Sequence, residues 1–363
     1  MTNQKRYGLP YQGSKNFIAE WVVEHMPAAP TLVDLFAGGC AVTHAALESG
    51  KFKKVFANDI TDAPRLFEQA VKGELPADAK RWISREEFRQ LKNTDPIVRL
   101  CWSFGGRGSS YLYGRHIEPW KYAMHAARVE GDLSVLRMMG VAGGDGSRLW
   151  VVHHHEDCKR AYTAWRKSYF VEGDTSAIDA LCSSPSATPA LLRFRHLFPT
   201  DYMQEGGNLD KRLERLQHPQ HLQHLQHLEN LQRLQRLQCQ ESTERLDSLR
   251  VVQGDYRKCP IPKGAVIYCD PPYKDTTAYQ TPGHHPTKKG SGFDHAAFFS
   301  WVRSRREKVI ISEYYIDPAE GFTLIAERKK PRIMNSNGTD GYATERLYGW
   351  NIKPSDLNSL FLL

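Results

Sequence analysis

Apolar and polar positions near the start of the chain predict a strand–helix–strand unit. Residues 31–36, TLVDLF, form an apolar run typical of a buried strand. The glycine turn AGGCAV follows, then the helical pattern THAALES, which ends at Gly50, and a second strand, KKVFAND. A helical apolar face over residues 16–25 precedes this unit. The order of elements predicts two parallel strands with the helix as their crossover.

The same pattern returns after Arg250. LRVVQGDY, AVIYCDPPY and EKVIISEYY predict three more strands, and FDHAAFFSWVRS predicts a helix before the last of them. FTLIAERKKPR and TERLYGW predict a terminal hairpin. We therefore predict an α/β fold whose sheet is built from both ends of the chain, residues 1–75 and 248–363.

The central part of the chain follows different patterns. Residues 76–208 include the helical pattern SREEFRQLKN, with a capping box of Ser84 and Glu87, and the Gly/Ser-rich loop SFGGRGSSYLYGRH. Residues 209–247 carry leucines on a three-residue step. On an α-helix each such step turns about 60° backwards, so an exposed helix would show leucine on every side. We predict that this repeat is an inserted helical or irregular arm. The sequence leaves its role open, a spacer or a dimer contact among the alternatives.

Positive charge is concentrated in the central part. The chain carries 49 Lys and Arg against 41 Asp and Glu, a net charge of +8, and residues 80–170 hold sixteen basic and nine acidic side chains. Five of the eight tryptophans lie in the same segment. Clustered positive charge among aromatic residues is typical of proteins that bind a phosphate backbone. A solvated basic surface beside an ordinary core is the alternative that composition leaves open.

Composition also narrows the class of protein. No apolar run is long enough to cross a membrane, and the first residues lack the apolar core of a secretory signal. Seven cysteines without a CxxC pair do not indicate a disulfide framework or a zinc knuckle. The HHH run at 153–155 lacks metal-ligand spacing, and His221, His224 and His227 recur with the leucine repeat. We therefore expect a cytoplasmic protein with reduced thiols and no metal.

The glycine turn and the acid after the second strand suggest a site for a polar ligand. A glycine turn between a strand and a helix lets a ligand approach the backbone and the helix N-terminus. Asp59 follows Gly39 by 20 residues, the spacing at which an acid binds ribose hydroxyls in dinucleotide sites. A nicotinamide or flavin enzyme has the same pattern, and so does a tight turn with no ligand.

The stretch YCDPPY, residues 268–273, predicts a rigid clamp at the end of a strand. Proline cannot donate to a sheet ladder, so the strand must end before Pro271. Asp270 and the carbonyl of Pro271, stiffened by Pro272, can accept both hydrogens of an exocyclic amino group and orient its lone pair. We expect Tyr273 to be exposed and to stack on a base swung out of a duplex. An isolated motif of this kind also fits a type I turn.

Six motifs, in their order, resemble one enzyme family: YQGSK, DLFAGG, FANDI, VVQGDY, YCDPPY and VIISEYY. They are similar to motifs of adenine-specific DNA methyltransferases of the deoxyadenosine methylase type, which use S-adenosyl-L-methionine. The resemblance covers residues 7–60 and 250–350. It implies a Rossmann-like sheet that transfers a methyl group to the amino group of a flipped adenine in a short duplex DNA sequence. Residues 76–208 would then be an inserted, mostly helical target-recognition region that binds double-stranded DNA.

The resemblance also implies roles for single residues. Asp270, Pro271, Pro272 and Tyr273 would form the catalytic motif that holds the target adenine. The residues expected to bind the cofactor are Tyr11, Lys15, Asp34, Phe36, Gly38, Gly39, Asp59, Asp255, Tyr256 and Asp270. Among these, Tyr11 and Lys15 would contact the methionine end, Asp59 the ribose hydroxyls, and Asp255 with Tyr256 the adenine. The chain departs from the family at Cys40, where a further glycine is common. We expect Arg107 or Arg115, on the Gly/Ser-rich loop, to contact DNA.

Two other functions remain open at this stage. Methylation of the cytosine amino group needs the same pocket chemistry, although the family more often has Ser in place of Asp270 for that target. A catalytically inert DNA-binding regulator would retain the cofactor site. The sequence does not decide the recognition sequence, the oligomeric state, or the choice between a restriction-modification system and a solitary phage methylase.

Overall fold

A computed structural model of the chain describes residues 7–9, 11, 13–106, 108–115, 117–139, 176–197, 225–238, 247–273, 293–331 and 342–357. Within these ranges the strands are β1 Thr31–Asp34, β2 Lys54–Asp59, β3 Leu249–Gln253, β4 Val266–Cys269, β5 Lys308–Glu313, β6 Thr323–Pro331 and β7 Tyr342–Trp350. The α-helices are α1 Ala19–Glu24, α2 Ala41–Ser49, α3 Ala63–Lys72, α4 Arg85–Leu91, α5 Pro96–Cys101, α6 Glu118–His125, α7 Ser134–Met138, α8 Ser176–Cys182, α9 Pro189–His196, α10 Gln226–Gln238 and α11 His295–Arg303.

The strands of the described residues form one seven-stranded sheet in the order β3-β2-β1-β4-β5-β7-β6. The first five strands of that order are parallel, and β7 runs antiparallel to both β5 and β6. The predicted strand–helix–strand unit is confirmed, since Thr31 of β1 pairs with Lys54 of β2 in parallel register. The predicted terminal hairpin is confirmed as β6 and β7. The chain therefore has a mixed α/β fold.

Burial explains why the central strands are continuous apolar runs. Every residue of β1 and β4 is buried, as expected for parallel strands covered on both faces. Val33, Ile267 and Ile311 of neighbouring strands pack with Phe298 and Val302 of α11 in one apolar cluster. Glu327, Arg328 and Lys329 of the edge strand β6 are exposed, which discourages pairing with another sheet edge.

The chain divides into two compact units. The sheet unit comprises Met1–Pro76, Lys92–Ser109 and Asn230–Leu363, and the second unit comprises Ala77–Leu91 and Ser110–Glu229. All seven strands belong to the sheet unit. Residues 92–109, with α5, also belong to it, so the chain enters the second unit at two separate points.

The described part of the second unit is helical with an aromatic core. The predicted capping box begins α4, because Ser84 N–H donates to Glu87 Oε2 at 2.9 Å and Glu87 N–H donates to Ser84 Oγ at 3.1 Å. Trp82, Trp120 and Phe194 are buried. Trp82 and Trp120 are therefore core residues of this unit. Trp150 and Trp165 lie outside the described ranges.

The leucine repeat is helical where the structure describes it. The helix α10 spans Gln226–Gln238, and the boundary between the two units falls inside it. Its leucines, with the one just before it, are all buried: Leu225, Leu228, Leu231, Leu234 and Leu237. Because a three-residue step spreads these leucines round the helix, burying all of them requires cover on most of its circumference. This part of the repeat is therefore packed, and the leucines before residue 225 lie outside the described ranges.

Candidate active site

A cavity of about 610 Å³ opens at the carboxyl edge of the parallel strands, within the sheet unit. This volume is that of a typical small-molecule site. Its lining includes every residue that the sequence predicted to bind a cofactor, and Pro272 as well: Tyr11, Lys15, Asp34, Phe36, Gly38, Gly39, Asp59, Asp255, Tyr256 and Asp270. The carboxyl ends of β1, β2, β3 and β4 meet here, which explains why motifs far apart in sequence converge.

The glycine turn is needed first for protein packing. Leu9 N–H donates to the Gly39 carbonyl at 2.7 Å, and the Tyr11 side chain covers Gly38 and Gly39. A Cβ atom on Gly39 would lie 2.5 Å from Tyr11 Cβ, and Gly38 has a φ of +47°. The N-terminal segment is thereby fixed against the turn, and the Tyr11 ring becomes part of the cavity wall.

Cys40 takes the backbone conformation of the glycine that the family often has at this position. Its φ is +58°, in the left-handed region, and its side chain is buried at the N-terminal cap of α2. A left-handed conformation costs a side-chain-bearing residue about 1–2 kcal/mol.

Asp34 places a buried carboxyl group at the floor of the cavity. Thr43 Oγ1 donates to Asp34 Oδ2 at 2.7 Å, while Asp34 Oδ1 is buried and has no hydrogen-bond partner. The pKa of this carboxyl is raised to about 7, mainly by burial and also by the charges of Asp270 and Asp59, while the hydrogen bond from Thr43 opposes the rise. The group therefore offers an acceptor atom to which no residue that the structure describes donates.

Asp59, at the end of β2, holds the glycine turn. Gly38 N–H donates to Asp59 Oδ2 at 2.9 Å, and the N–H and hydroxyl of Thr61 donate to Oδ1 at 2.8 and 2.7 Å. A carboxylate has about four lone-pair sites, so these three donors leave some of the acceptor capacity of Asp59 unused. Asp59 is part of the cavity lining.

Aromatic rings form another wall of the cavity. The centroids of Phe36 and Tyr256 lie 5.2 Å apart, and Phe293 meets the Phe36 ring edge-on. Next to them, Arg257 Nη2 forms an ion pair with Asp255 Oδ2 at 2.5 Å. Hydrogen bonding from Arg257 lowers the pKa of Asp255 to about 2. This wall combines flat apolar surface with a carboxylate that stays ionised.

Asp270 and Lys15 form the central ion pair of the site. The Lys15 ammonium donates to Asp270 Oδ1 at 2.7 Å and to Oδ2 at 2.8 Å, although the residues are 255 positions apart. The Lys15 side chain is 5% exposed and that of Asp270 is 18% exposed. Lys15 is therefore paired with the carboxylate that follows β4.

The expectation that Tyr273 is exposed is wrong. Tyr273 is only 7% exposed, and its hydroxyl donates to a carboxylate oxygen of Glu345, on β7. Its ring contacts the Lys15 ammonium, 4.6 Å from the ring centroid, and Tyr314, with centroids 4.7 Å apart. Contacts with Lys15, Tyr314 and Glu345, which the motif does not reveal, account for this burial.

Sequence reasoning missed several residues that shape the site. Thr43, Glu345 and the Arg99–Asp62 ion pair all contact predicted site residues or line the cavity themselves. Thr43 follows Asp34 by nine positions and lies in the first turn of α2. The strand–turn–helix pattern could therefore have indicated that its side chain lies near Asp34. Glu345 and Arg99 gave none, because their contacts join segments far apart in the sequence.

The predicted DNA contacts are placed only in part. Arg107 lies outside the described residues. Arg115 lies in the second unit and is half-buried. Burial raises the pKa of the Glu118 carboxyl, and the positive charges of Arg85 and Arg115 oppose that rise. Contact between Arg115 and DNA stays a prediction.

His227, one histidine of the repeat, has hydrogen-bond partners in the second unit. The Tyr113 hydroxyl and His227 Nδ1 are 2.7 Å apart, and His227 Nε2 and His125 Nδ1 are 2.8 Å apart. His227 is thus a packed core residue. His221, His224 and the HHH run at 153–155 lie outside the described ranges.

The described residues contain neither a cluster of metal-ligating side chains nor a membrane-spanning helix. Among them, no group of three or more His, Cys, Asp or Glu side chains is arranged to hold a metal ion. No helix in the ranges that the structure covers is long and apolar enough to span a membrane.

Comparison with known proteins connects this geometry with a class of enzymes. Residues 11–95 match the family described as D12 class N6 adenine-specific DNA methyltransferase. This range contains Tyr11, Lys15, Asp34, the glycine turn and Asp59, and it ends before the DPPY motif.

A curated relative adds to this similarity. The Type II methyltransferase M2.HphI of Haemophilus parahaemolyticus is 41% identical over 61 residues, which are 16% of this chain and 18% of that protein. The chain therefore spans less than a fifth of the length of the curated relative that it matches.

Proposed function

We propose that the protein is a DNA adenine methyltransferase that transfers a methyl group from S-adenosyl-L-methionine to the exocyclic amino group of adenine in duplex DNA. The observation that carries this proposal is the convergence of Lys15, the glycine turn and Asp270 on one cavity. The family match over residues 11–95 supports the same reaction.

The residues of the cavity fit the proposed cofactor. Asp34 Oδ1 is a buried acceptor without a donor, which suits the amino group of a methionine moiety. Phe36 and Tyr256 suit an adenine ring, and the free lone pairs of Asp59 suit ribose hydroxyls. The carboxyl groups of Asp34 and Asp270 suit the positive charge of a sulfonium.

Asp270 and the Pro271 carbonyl would act on the target base. Together they would accept the two hydrogens of the adenine amino group, which directs the nitrogen lone pair outwards. Asp270 retains acceptor capacity beside Lys15, because a carboxylate offers about four lone-pair sites. Its negative charge would stabilise the positive charge that develops on the amino group. When bound, S-adenosyl-L-methionine supplies the electrophilic methyl group.

DNA recognition is assigned to the central part of the chain. We propose that residues 76–208 form the inserted target-recognition region, with Arg107 or Arg115 contacting DNA. The excess of basic side chains in residues 80–170 supports this assignment. Residues 92–109 belong to the sheet unit, and Asn93, Pro96 and Arg99 line its cavity, so we expect this short segment to serve the cofactor site as well.

Transfer of a tritiated methyl group from the cofactor to mixed-sequence duplex DNA tests the proposal. Nucleoside chromatography of the product identifies the methylated base, and N6-methyldeoxyadenosine is expected. The variant Asp270→Asn keeps the size of the side chain and removes its charge, so incorporation should fall by about 100-fold or more.

A matched control removes a carboxylate elsewhere. Asp247→Asn changes an exposed acid in the turn before β3, and we expect wild-type incorporation from it. Detection of methylated cytosine in the product would identify cytosine, and not adenine, as the target base. Wild-type incorporation by Asp270→Asn would refute the catalytic role of this clamp.

A further inference from the structure

Arg99 places a guanidinium in the lining of the cavity, and the proposed reaction assigns this group no role. It belongs to α5, in the segment 92–109 of the sheet unit. One of its nitrogens, Nη2, forms an ion pair with Asp62, the residue that precedes α3. The Arg99 side chain is only 19% exposed. Burying a charged group of this kind is costly unless acceptors replace the lost water.

The ion pair with Asp62 leaves donors of Arg99 unused. A guanidinium carries several N–H donors in a fixed fork, and only Nη2 donates to Asp62. Within the described residues, Arg99 Nε and Nη1 have no acceptor, and neither nitrogen is enclosed by protein. Burial lowers the pKa of the guanidinium, and its interaction with Tyr11 opposes that shift. Arg99 therefore brings poorly hydrated donors to the cavity, where an anion could accept from them.

The loop after α5 holds Arg99 in place. Ser103 Oγ donates to the Arg99 carbonyl at 2.5 Å, and Gly108 N–H donates to Ser103 Oγ at 2.9 Å. The backbone at Gly108 packs against the Arg99 side chain, because a Cβ atom on Gly108 would lie 2.8 Å from Arg99 Cγ. The stem of Arg99 is packed and its charged end is paired with Asp62. The guanidinium is therefore preorganised, and an anion that binds it has little ordering to offset.

Arg99 lies at the end of the cavity that is opposite the aromatic wall. The order of strands reverses between β1 and β4, so right-handed crossovers put α2 and α3 on one face of the sheet and α11 on the other. The aromatic wall proposed for the adenine ring packs on Phe298 of α11. Arg99, in contrast, pairs with Asp62 at α3 and interacts with Tyr11, which covers the glycine turn before α2. With the adenine on the aromatic wall, the other end of the cofactor lies on the side of Arg99.

We propose that Arg99 binds the α-carboxylate of S-adenosyl-L-methionine and that Asp62 orients Arg99 for this contact. This inference rests on the proposed function. The end of the cofactor opposite the adenine is an amino acid, and its amino group suits Asp34 Oδ1. Its carboxylate would enter a cavity whose lining includes Asp34, Asp59 and Asp62, so it needs a cationic partner. A guanidinium supplies parallel N–H donors that match the two oxygens of a carboxylate.

Titration calorimetry without DNA tests the inference with two ligands, S-adenosyl-L-methionine and its decarboxylated form, which lacks only the carboxylate. Arg99→Gln should raise the dissociation constant of S-adenosyl-L-methionine roughly tenfold to a hundredfold, because it removes hydrogen bonds between charged groups. The dissociation constant of the decarboxylated form should change by less than about threefold, since that ligand has no group for Arg99 to bind. Arg99→Lys keeps the charge and loses the fork, so it should retain part of the preference for the carboxylate.

The control is Arg65→Gln, which removes an exposed arginine of α3 and should bind both ligands as the wild type does. Equal weakening of both ligands in Arg99→Gln would overturn the inference, because it would indicate a damaged cavity and not a lost carboxylate contact. Unchanged binding of both ligands with weaker binding of DNA would also overturn it and would assign Arg99 to a phosphate group.

A second comparison applies if Arg99→Gln does not fold. The ratio of the two dissociation constants is then measured in the wild type and in Arg99→Lys, and an equal ratio in both proteins would overturn the inference. Failure of the wild-type protein to bind S-adenosyl-L-methionine at all would instead overturn the proposed function itself, and the inference with it.

Discussion

Replacing Asp34 with asparagine should stabilise the protein in mild alkali and change its stability far less in mild acid. Asp34 is buried, and only one of its oxygens has a donor, the Thr43 hydroxyl. Burial raises the pKa of its carboxyl from 3.8 to about 7. Because the folded pKa lies above the unfolded one, the wild-type protein loses stability as the pH rises between these two values, and the loss is complete above them.

The size of the effect follows from these two pKa values. Each unit of pKa corresponds to about 1.4 kcal/mol, so the fold pays about 4 kcal/mol for Asp34 at about pH 8 and less than about 2 kcal/mol at about pH 5. Asparagine carries no charge and avoids this cost at either pH. Its amide N–H₂, buried near the Oδ1 position, costs roughly 1–3 kcal/mol, equally at both pH values. The stability difference between variant and wild type should therefore grow by about 2–3 kcal/mol from about pH 5 to about pH 8.

Urea unfolding of both proteins at these two pH values measures the difference. Asp247→Asn, a change at an exposed position, is the control and should show no comparable growth. A difference between Asp34→Asn and wild type that is the same at both pH values would refute the assignment of a raised pKa to Asp34. Cofactor binding should weaken in the same variant, since the group that costs stability is the one proposed to bind the ligand.

Two further predictions concern packing. Gly8→Ala should destabilise the protein by about 3 kcal/mol or more in thermal unfolding, because its Cβ would lie 2.3 Å from the Gly39 carbonyl oxygen and its φ is +64°. Gly73→Ala, where φ is +77° and the added Cβ has nothing within 4 Å, should cost only about 1–2 kcal/mol. Equal losses of stability in the two variants would contradict the argument. Tyr113→Phe should destabilise the protein by about 1–3 kcal/mol in urea unfolding, because it removes the buried hydroxyl 2.7 Å from His227 Nδ1, and an unchanged midpoint would mean that this contact contributes nothing.

The sheet could be predicted from the sequence because its signals are local. Each parallel strand is a short apolar run that ends at an acid or a turn, and an acid at the carboxyl end of a parallel strand faces the edge where the others end. The family resemblance implied a shared site for Asp34, Asp59 and Asp270, and this rule explains why all three line the cavity. The capping box of Ser84 and Glu87 was equally local, and the structure confirms it.

The environment of the clamp could not be predicted, because it depends on pairing between distant segments. Glu345 reaches Tyr273 only because β7 returns antiparallel beside β5 and extends past its end. The sequence predicted the hairpin but not its neighbour in the sheet, so the burial of Tyr273 was missed. The leucines of α10 present the same difficulty, since a three-residue step does not reveal what covers the helix.

The acids at the strand ends differ in how the protein satisfies them, and this difference points to the ligand. Asp59 accepts from the backbone of the turn, Asp255 pairs with Arg257, and Asp270 pairs with Lys15. Asp34, in contrast, keeps a buried oxygen without a donor and a raised pKa. Burying the Asp34 carboxyl destabilises the fold, and only a donor on a bound ligand would offset that cost. A cationic ligand would both supply the donor and favour the ionised form of Asp34.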